Sequence, residues 1–209
     1  MPIPVFLAMT TEEMRSAAQF PEHLALMDFH NGKEDSILIL TDRKPWSLQE
    51  IRTLVKDHMK ILLDFQRPDD DNNHKIITEL ECLGLPYCTT GIYAEEHNCA
   101  VFLPPLPLTS TLAEHIMPWS GRELWLELAL DGQRITLTTD SSKEIYIPHA
   151  QHHQKSHRDS KLHCHYRIHT TETAAEFTLW RCKEDIIALL EEAESLGIRL
   201  AVGLWQELK

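Results

Sequence analysis

Acids, amides and aromatic residues stand at the ends of short apolar runs, where a folded chain can bring them together. Met9 ends the first run; Asp28 and His30 follow the second; Asp42 and Arg43 follow SILIL; Asp64, Gln66 and Arg67 close KILLDFQR. Tyr93 comes just after PYCTT, and Trp205, Gln206 and Glu207 end RLAVGLWQE. Carboxylates, an arginine and two aromatics on one concave face suit a sugar or another polyol. Planar polar groups bond its hydroxyls, and an aromatic face stacks on its ring. The second concentration of chemistry is histidine. Seven of the 13 lie between 149 and 169: His149, His152, His153, His157, His163, His165 and His169. Spaced by one residue, His163 and His165 would share one strand face with Cys164 on the other. Imidazole pairs bind Zn²⁺, Ni²⁺ or Cu²⁺. No CxxC or HExxH spacing accompanies them, so His163 and His165 are carried only as metal candidates, and no metal or cofactor is expected. A Gly-rich phosphate loop and a GxSxG elbow are both absent from the sequence.

The elements that must position these residues are read from periodicity. Eight apolar runs read as core strands: 3–8, 23–29, 36–40, 60–65, 86–90, 99–103, 123–130 and 199–205. Helical spacing separates several of them. Thr10 with Glu12 and Glu13 caps a helix running to about 19; Trp46-Ser47-Leu48 opens another, with Ile51, Leu54, Val55 and His58 on one stripe. Residues 73–83 and 183–196 form the clearest helices, stopped by Gly84 and Gly197. A short helix over 108–117 is capped by Thr109 or Ser110. Asp69-Asp70-Asp71 lacks the Gly and distant Glu of a calcium loop and reads as an acidic helix cap. Apolar strands alternating with helices imply parallel strands covered on both faces. Eight of them predict an α/β fold, a reduced (β/α)₈ barrel, with an open doubly wound sheet as the competing architecture. The links between the second and third and between the fifth and sixth strands are shorter than the dozen or so residues of a helical crossover. Helices should therefore be missing on one side. The chain reads as one domain over 1–209, with 131–181 an antiparallel, His-rich insertion before the last long helix. Within it, Asp131-Gly132 predicts a hairpin turn between 123–130 and 135–139; 141–161 reads as a polar loop, and 163–168 and 176–180 as strands.

The run Lys60-Ile61-Leu62-Leu63-Asp64-Phe65-Gln66-Arg67-Pro68 resembles the fourth-strand signature DxxDxDxE of the chitinase-type glycoside hydrolases, family eighteen and its relatives. The four acidic positions of that signature fall at Met59, Leu62, Asp64 and Gln66, so only Asp64 is retained. Gly203-Leu204-Trp205 resembles the family's eighth strand, whose Trp floors the sugar site, and a β-rich insertion after the seventh strand is similar to one found there. The sequence departs from the family at the third strand, which has no Gly-rich motif, and at the sixth, where Val101-Phe102-Leu103-Pro104-Pro105 stands in place of Met-x-Tyr-Asp. The resemblance implies a barrel with its site at the strand carboxyl ends. It also implies that the proton-donating Glu is replaced by Gln66, whose amide has no proton to give in the working range. A degenerate member, binding a carbohydrate or polyol without chitinase-type hydrolysis, is the leading expectation. A hydrolase using another acid such as Glu207, or a His-bound metal, is the second. A protein-interaction scaffold is the third.

Composition bounds the rest. The chain has 209 residues, 43% hydrophobic and 25% charged, enough for one sizeable core. With 20 Lys and Arg against 32 Asp and Glu, the formal charge of −12 opposes nucleic acid and anionic membranes as partners. No run approaches the ~18 apolar residues of a membrane span and no secretory leader is visible, so the expected location is cytoplasmic. The five cysteines are expected to be buried free thiols. A protein partner or homo-oligomer is left open.

Full protonation of the 13 histidines would bring the formal charge from −12 to about +1. Imidazole titrates near ~6.5, so solubility is expected to fall between about pH 8 and about pH 5. A flat solubility profile across that interval would refute this.

Overall fold

The computed structural model describes residues 3–29, 35–43, 45–55, 60–68, 70–148 and 156–209. Eight strands are β1 (Val5–Met9), β2 (Leu24–Met27), β3 (Ile37–Thr41), β4 (Lys60–Asp64), β5 (Cys88–Thr90), β6 (Ala100–Leu103), β7 (Leu124–Leu128) and, after the insertion, β13 (Leu200–Leu204). All pair in parallel and close into a barrel in the order β1-β13-β7-β6-β5-β4-β3-β2. The seam is the pairing of first with last, Val5 opposite Ala201 through Ala8 opposite Leu204. Every apolar run read as a core strand is found in this barrel, so the open-sheet alternative is set aside.

Alternation sorts the side chains. Phe6, Ala8, Ala25, Ile37, Ile39, Leu62, Phe102, Trp125, Leu200 and Val202 pack together inside the barrel. Their neighbours along each strand face outward, under the helices. Leu38, Leu40, Ile61 and Leu63 meet Ile76, Ile77 and Leu80 of α3 (Asp71–Cys82) and Ile51 of α2 (Leu48–Leu54). Leu124, Leu126 and Leu128 meet Ile186, Leu189 and Ala193 of α6 (Lys183–Ser195).

The helices start where local chemistry caps them. Thr10 and Glu13 form a capping box at α1 (Thr11–Ser16), and Ser47 and Glu50 form another at α2. Asp70 accepts from the Asn72 N–H at the start of α3, the role read from the acidic run. Gly84 and Gly197, at φ 67° and 82°, end α3 and α6 in the left-handed conformation that glycine adopts without strain. The helix expected over 108–117 is shorter, α5 (Leu112–Ile116), and its cap is Thr111. Only Thr111 stands three residues before a glutamate, Glu114, that can complete a reciprocal box. Between β5 and β6 there is a single turn, α4 (Gly91–Ala94), and a last turn, α7 (Trp205–Leu208), follows β13. The β2–β3 link carries no helix among the described residues.

The insertion is a five-stranded antiparallel sheet, β10-β11-β12-β8-β9. Its strands are β8 (Asp131–Thr138), β9 (Ser142–Pro148), β10 (His157–Asp159), β11 (Cys164–Thr170) and β12 (Ala174–Trp180). Three readings are corrected here. Asp131-Gly132 is not a hairpin turn: both lie in β8, with Gly132 opposite Ile147 and Trp180, because β7 is taken by the barrel and cannot pair with β8. The turn is at Ser141, whose carbonyl accepts from the Thr138 N–H at 2.8 Å. Part of the supposed polar loop is strand β9, and β10 ends it; His149, His152 and His153 lie outside the described residues. Cys82 is exposed, while Cys88, Cys164 and Cys182 are buried, and none of the five is in a disulfide.

One side chain staples the insertion to the barrel. Arg181 is 4% exposed and donates to the carbonyls of His163 (3.0 Å), Leu106 (2.8 Å) and Leu162 (3.3 Å). Buried acceptors that lose a donor cost about 1–3 kcal/mol each. Arg181→Met should therefore lower the unfolding free energy by roughly 3 kcal/mol or more in urea titration; an unchanged midpoint would mean that the two sheets do not depend on this contact.

Candidate active site

The carboxyl ends of the barrel strands converge on Asp64 and Glu127. Asp64 is the last residue of β4, two positions after inward Leu62; Glu127 lies two positions after inward Trp125 on β7. The period of two points both carboxylates into the mouth. They line one cavity of about 40 Å³ with Met27, Ile39, Phe102 and Leu204. Burial pushes Glu127 up to about 7, reinforced by the negative charges of Asp64, Asp131 and Glu207. Burial also raises Asp64, against the Gln66 amide that donates to its Oδ1 at 2.6 Å and holds it down. The charge of Asp42 adds to the rise and that of Arg43 opposes it. An acid poised near neutrality beside a second carboxylate can give and take a proton.

The other expected site residues sit around this pair in supporting positions. Asp28 is left-handed at φ 61°, and both its oxygens accept from Thr41, from the N–H and the hydroxyl, each at 2.8 Å. Its own N–H donates to the Ile39 carbonyl at 2.7 Å, so it ties β2 to β3. Asp42 gathers the loop after β4: Oδ2 accepts from the N–H groups of Gln66 (2.5 Å) and Arg67 (3.1 Å), and Oδ1 from Asn73 Nδ2 (2.8 Å). Tyr93 is 1% exposed; its hydroxyl accepts from Asn73 Nδ2 at 3.0 Å and donates to the Arg67 carbonyl. Glu207 Oε2 accepts from the Leu130 N–H at 3.4 Å and acts on Glu127 through its charge. Trp205 packs with Met9, Leu24 and Leu26. Those residues alternate with cavity-lining Ala8 and inward Ala25, so Trp205 sits on the outer side of the wall. His30 lies outside the described residues.

The sequence reading missed Glu127. Its signal is present in LWLEL, where one acid interrupts an apolar strand at an inward position.

The His163 and His165 pair does not form. His163 precedes β11 at φ 47°, and its Nε2 is 2.5 Å from Glu192 Oε2 on α6. His165 stacks on Trp180 and places Nε2 3.6 Å from Asp185 Oδ2, close to the Cys182 thiol. Asp185 there already accepts from the Cys182 N–H and Sγ and from Arg158, as the cap of α6. A larger cavity of about 740 Å³ opens at the opposite end of the barrel, beside Lys60, Tyr87, Cys99, Arg122 and Glu123. Arg122 is spent there on the carbonyls of Ala94, His97 and Cys99, and Glu123 on the Trp125 indole.

No family model matches the sequence, and no curated protein matches it. Solved structures with a similar fold exist. The C-terminal domain of a protein described as a chitinase, from Desulfitobacterium hafniense DCB-2, is 8% identical with a TM-score of 0.51, over 98% of this chain and 94% of that one. The spore cortex-lytic enzyme SleL of Bacillus cereus is 10% identical with a TM-score of 0.49, over 96% of this chain and 70% of that one. SleL of Bacillus megaterium QM B1551 is 11% identical with a TM-score of 0.48, over 97% and 70%. The first of these shows a shared barrel fold.

Ionising Glu127 inside the mouth has a measurable cost. An ordinary glutamate near 4.5 releases it in the unfolded chain well before the folded protein does at about 7. Between those values the folded state binds more protons, so stability falls as pH rises through the interval. The shift corresponds to at most roughly 3 kcal/mol. Glu127→Gln should flatten this slope, read as urea midpoints across the interval. Asp64→Asn should lower the Glu127 midpoint in a carbon-13 NMR titration; a midpoint that stays near 7 would break the coupling of the two acids.

Proposed function

We propose that the barrel mouth binds a carbohydrate or a similar polyol, in a glycoside-hydrolase-like barrel that does not carry out chitinase-type hydrolysis. The observation that carries this reading is the Asp64–Glu127 pair in one small cavity. Protonated Glu127 offers a hydroxyl donor and Asp64 an acceptor, the two halves of a bond pair for a sugar hydroxyl. A space of about 40 Å³ admits a hydroxymethyl arm and excludes a pyranose ring. The ring would rest on the rim, within reach of Gln66, Arg67 and Glu207. Asp28, Asp42 and Tyr93 hold that rim in shape, and Trp205 backs its wall from outside. Gln66 occupies the position at which the resembling family has its proton donor, and its amide cannot serve.

Supporting context comes from the likeness to a chitinase-described domain and from the charge of −12, which disfavours nucleic acid. Five cysteines without a disulfide suit a reducing compartment such as the cytoplasm. No described helix is long and apolar enough to cross a membrane.

A second reading is favoured by one observation, the Glu127 carboxyl held up to about 7. Such a group can protonate a leaving oxygen, with Asp64 as the partner carboxylate of a glycosidase. One set of variants separates the two. Thermal melting against soluble chito- and muro-oligosaccharides should show a rise of several degrees at saturating ligand, since ~100 times the dissociation constant stabilises by about 2.7 kcal/mol. Asp64→Ala should lose the rise and Glu127→Gln, which keeps a donor, should retain it. Release of reducing ends by the wild type but not by Glu127→Gln would establish the glycosidase. No rise with any sugar would refute carbohydrate binding.

A further inference from the structure

Away from the mouth, two histidines that the sequence left unremarked come together beside α3. His97, in the segment between α4 and β6, places Nδ1 2.9 Å from Glu81 Oε1. A carboxylate can only accept, so in the neutral ring Nδ1 carries the proton and Nε2 the bare lone pair. That Nε2 is buried and has no hydrogen-bond partner. A buried acceptor without a partner costs free energy and calls for an explanation. Glu81 is itself fixed, because the Tyr87 hydroxyl donates to the same oxygen at 2.9 Å.

The surroundings supply one. His74 lies two turns before Glu81 on the same face of α3, its ring edge-on to Tyr93 with centroids 5.1 Å apart. Glu96 precedes His97. One ligand atom from each of His74, Glu96 and His97 lies within 4.8 Å of the others. Two imidazoles and a carboxylate are the donor set of three-ligand zinc sites, which leave a fourth position to water. A carboxylate on the far nitrogen of a ligating histidine is the usual outer support of such sites, fixing the tautomer and the ring. His74 and His97 are partly buried and Glu96 is exposed, so the group borders solvent on the Glu96 side.

We propose that His74, Glu96 and His97 bind a divalent transition-metal ion of the Zn²⁺ type, with Glu81 as the positioning residue that aims His97. The ion meets the Nε2 lone pair that is otherwise orphaned. The site is independent of the acids in the barrel mouth and differs from the His163 and His165 candidates read from the sequence.

The test uses the full chain, purified without nickel resin and stripped with a chelator. Zn²⁺ titration by calorimetry should give one tight equivalent. His97→Ala and His74→Ala should lose it, and Glu81→Gln should weaken it about 10–100-fold. His163→Ala and His165→Ala should leave it unchanged. A tight equivalent that survives both His97→Ala and His74→Ala, or none in the wild type, overturns the proposal. Circular dichroism checks that each variant folds. If His97→Ala does not fold, diethyl pyrocarbonate footprinting of the wild type decides: Zn²⁺ should protect His74 and His97, and unprotected rings refute the site.

Discussion

Closure of eight parallel strands is the constraint on which the remaining features depend. A closed ring leaves alternate side chains no place but the inside, and the inside is filled by Phe6, Leu62, Phe102, Trp125 and Val202. What the filling leaves over is a small space at the carboxyl ends, and two acids face it. Asp64 on β4 and Glu127 on β7 belong to strands separated by two others, β5 and β6, yet closure brings both to one cavity at the mouth. Their raised proton affinities follow from this placement: water is excluded, and like charges are held close.

Among the described residues few long helices cover the barrel, and side-chain bonds hold the links between its strands. Where β2 passes to β3, Asp28 turns left-handed and clasps Thr41. Where β4 opens into its loop, Asp42 collects two backbone N–H groups and Asn73, and Asn73 passes the connection to Tyr93. These acids do the work that helix packing does elsewhere. Strand-end carboxylates in this chain thus also serve the fold: Asp28 and Asp42 hold loops.

The strands were legible because burial on both faces writes itself as unbroken apolar runs such as SILIL and KILLDF, and the reduced helix count followed from the short links. The hairpin at Asp131-Gly132 was misread because turn chemistry is local, whereas the partner of β7 is chosen by barrel closure with β6 and β13. Glu127 escaped notice because a single acid in an apolar run gains meaning only once its face is known. His74 and His97 escaped because α3 and the segment before β6 bring them together across the fold, with no short-range spacing to mark them. The His-rich stretch drew attention by number, yet among its described members His163 and His165 are paired off with α6.

The seam between β1 and β13 also sets an order of events in folding. During synthesis β1 emerges first, and its partner emerges only after the whole five-stranded insertion and α6. Until then β1 and β7 are open parallel edges with unpaired backbone groups, the kind of surface that associates with other chains. The antiparallel sheet has no such wait, because its strands pair among themselves. Before Leu200–Leu204 is made the ring cannot close, and its pairing with β1 and β7 both completes the core and removes those edges.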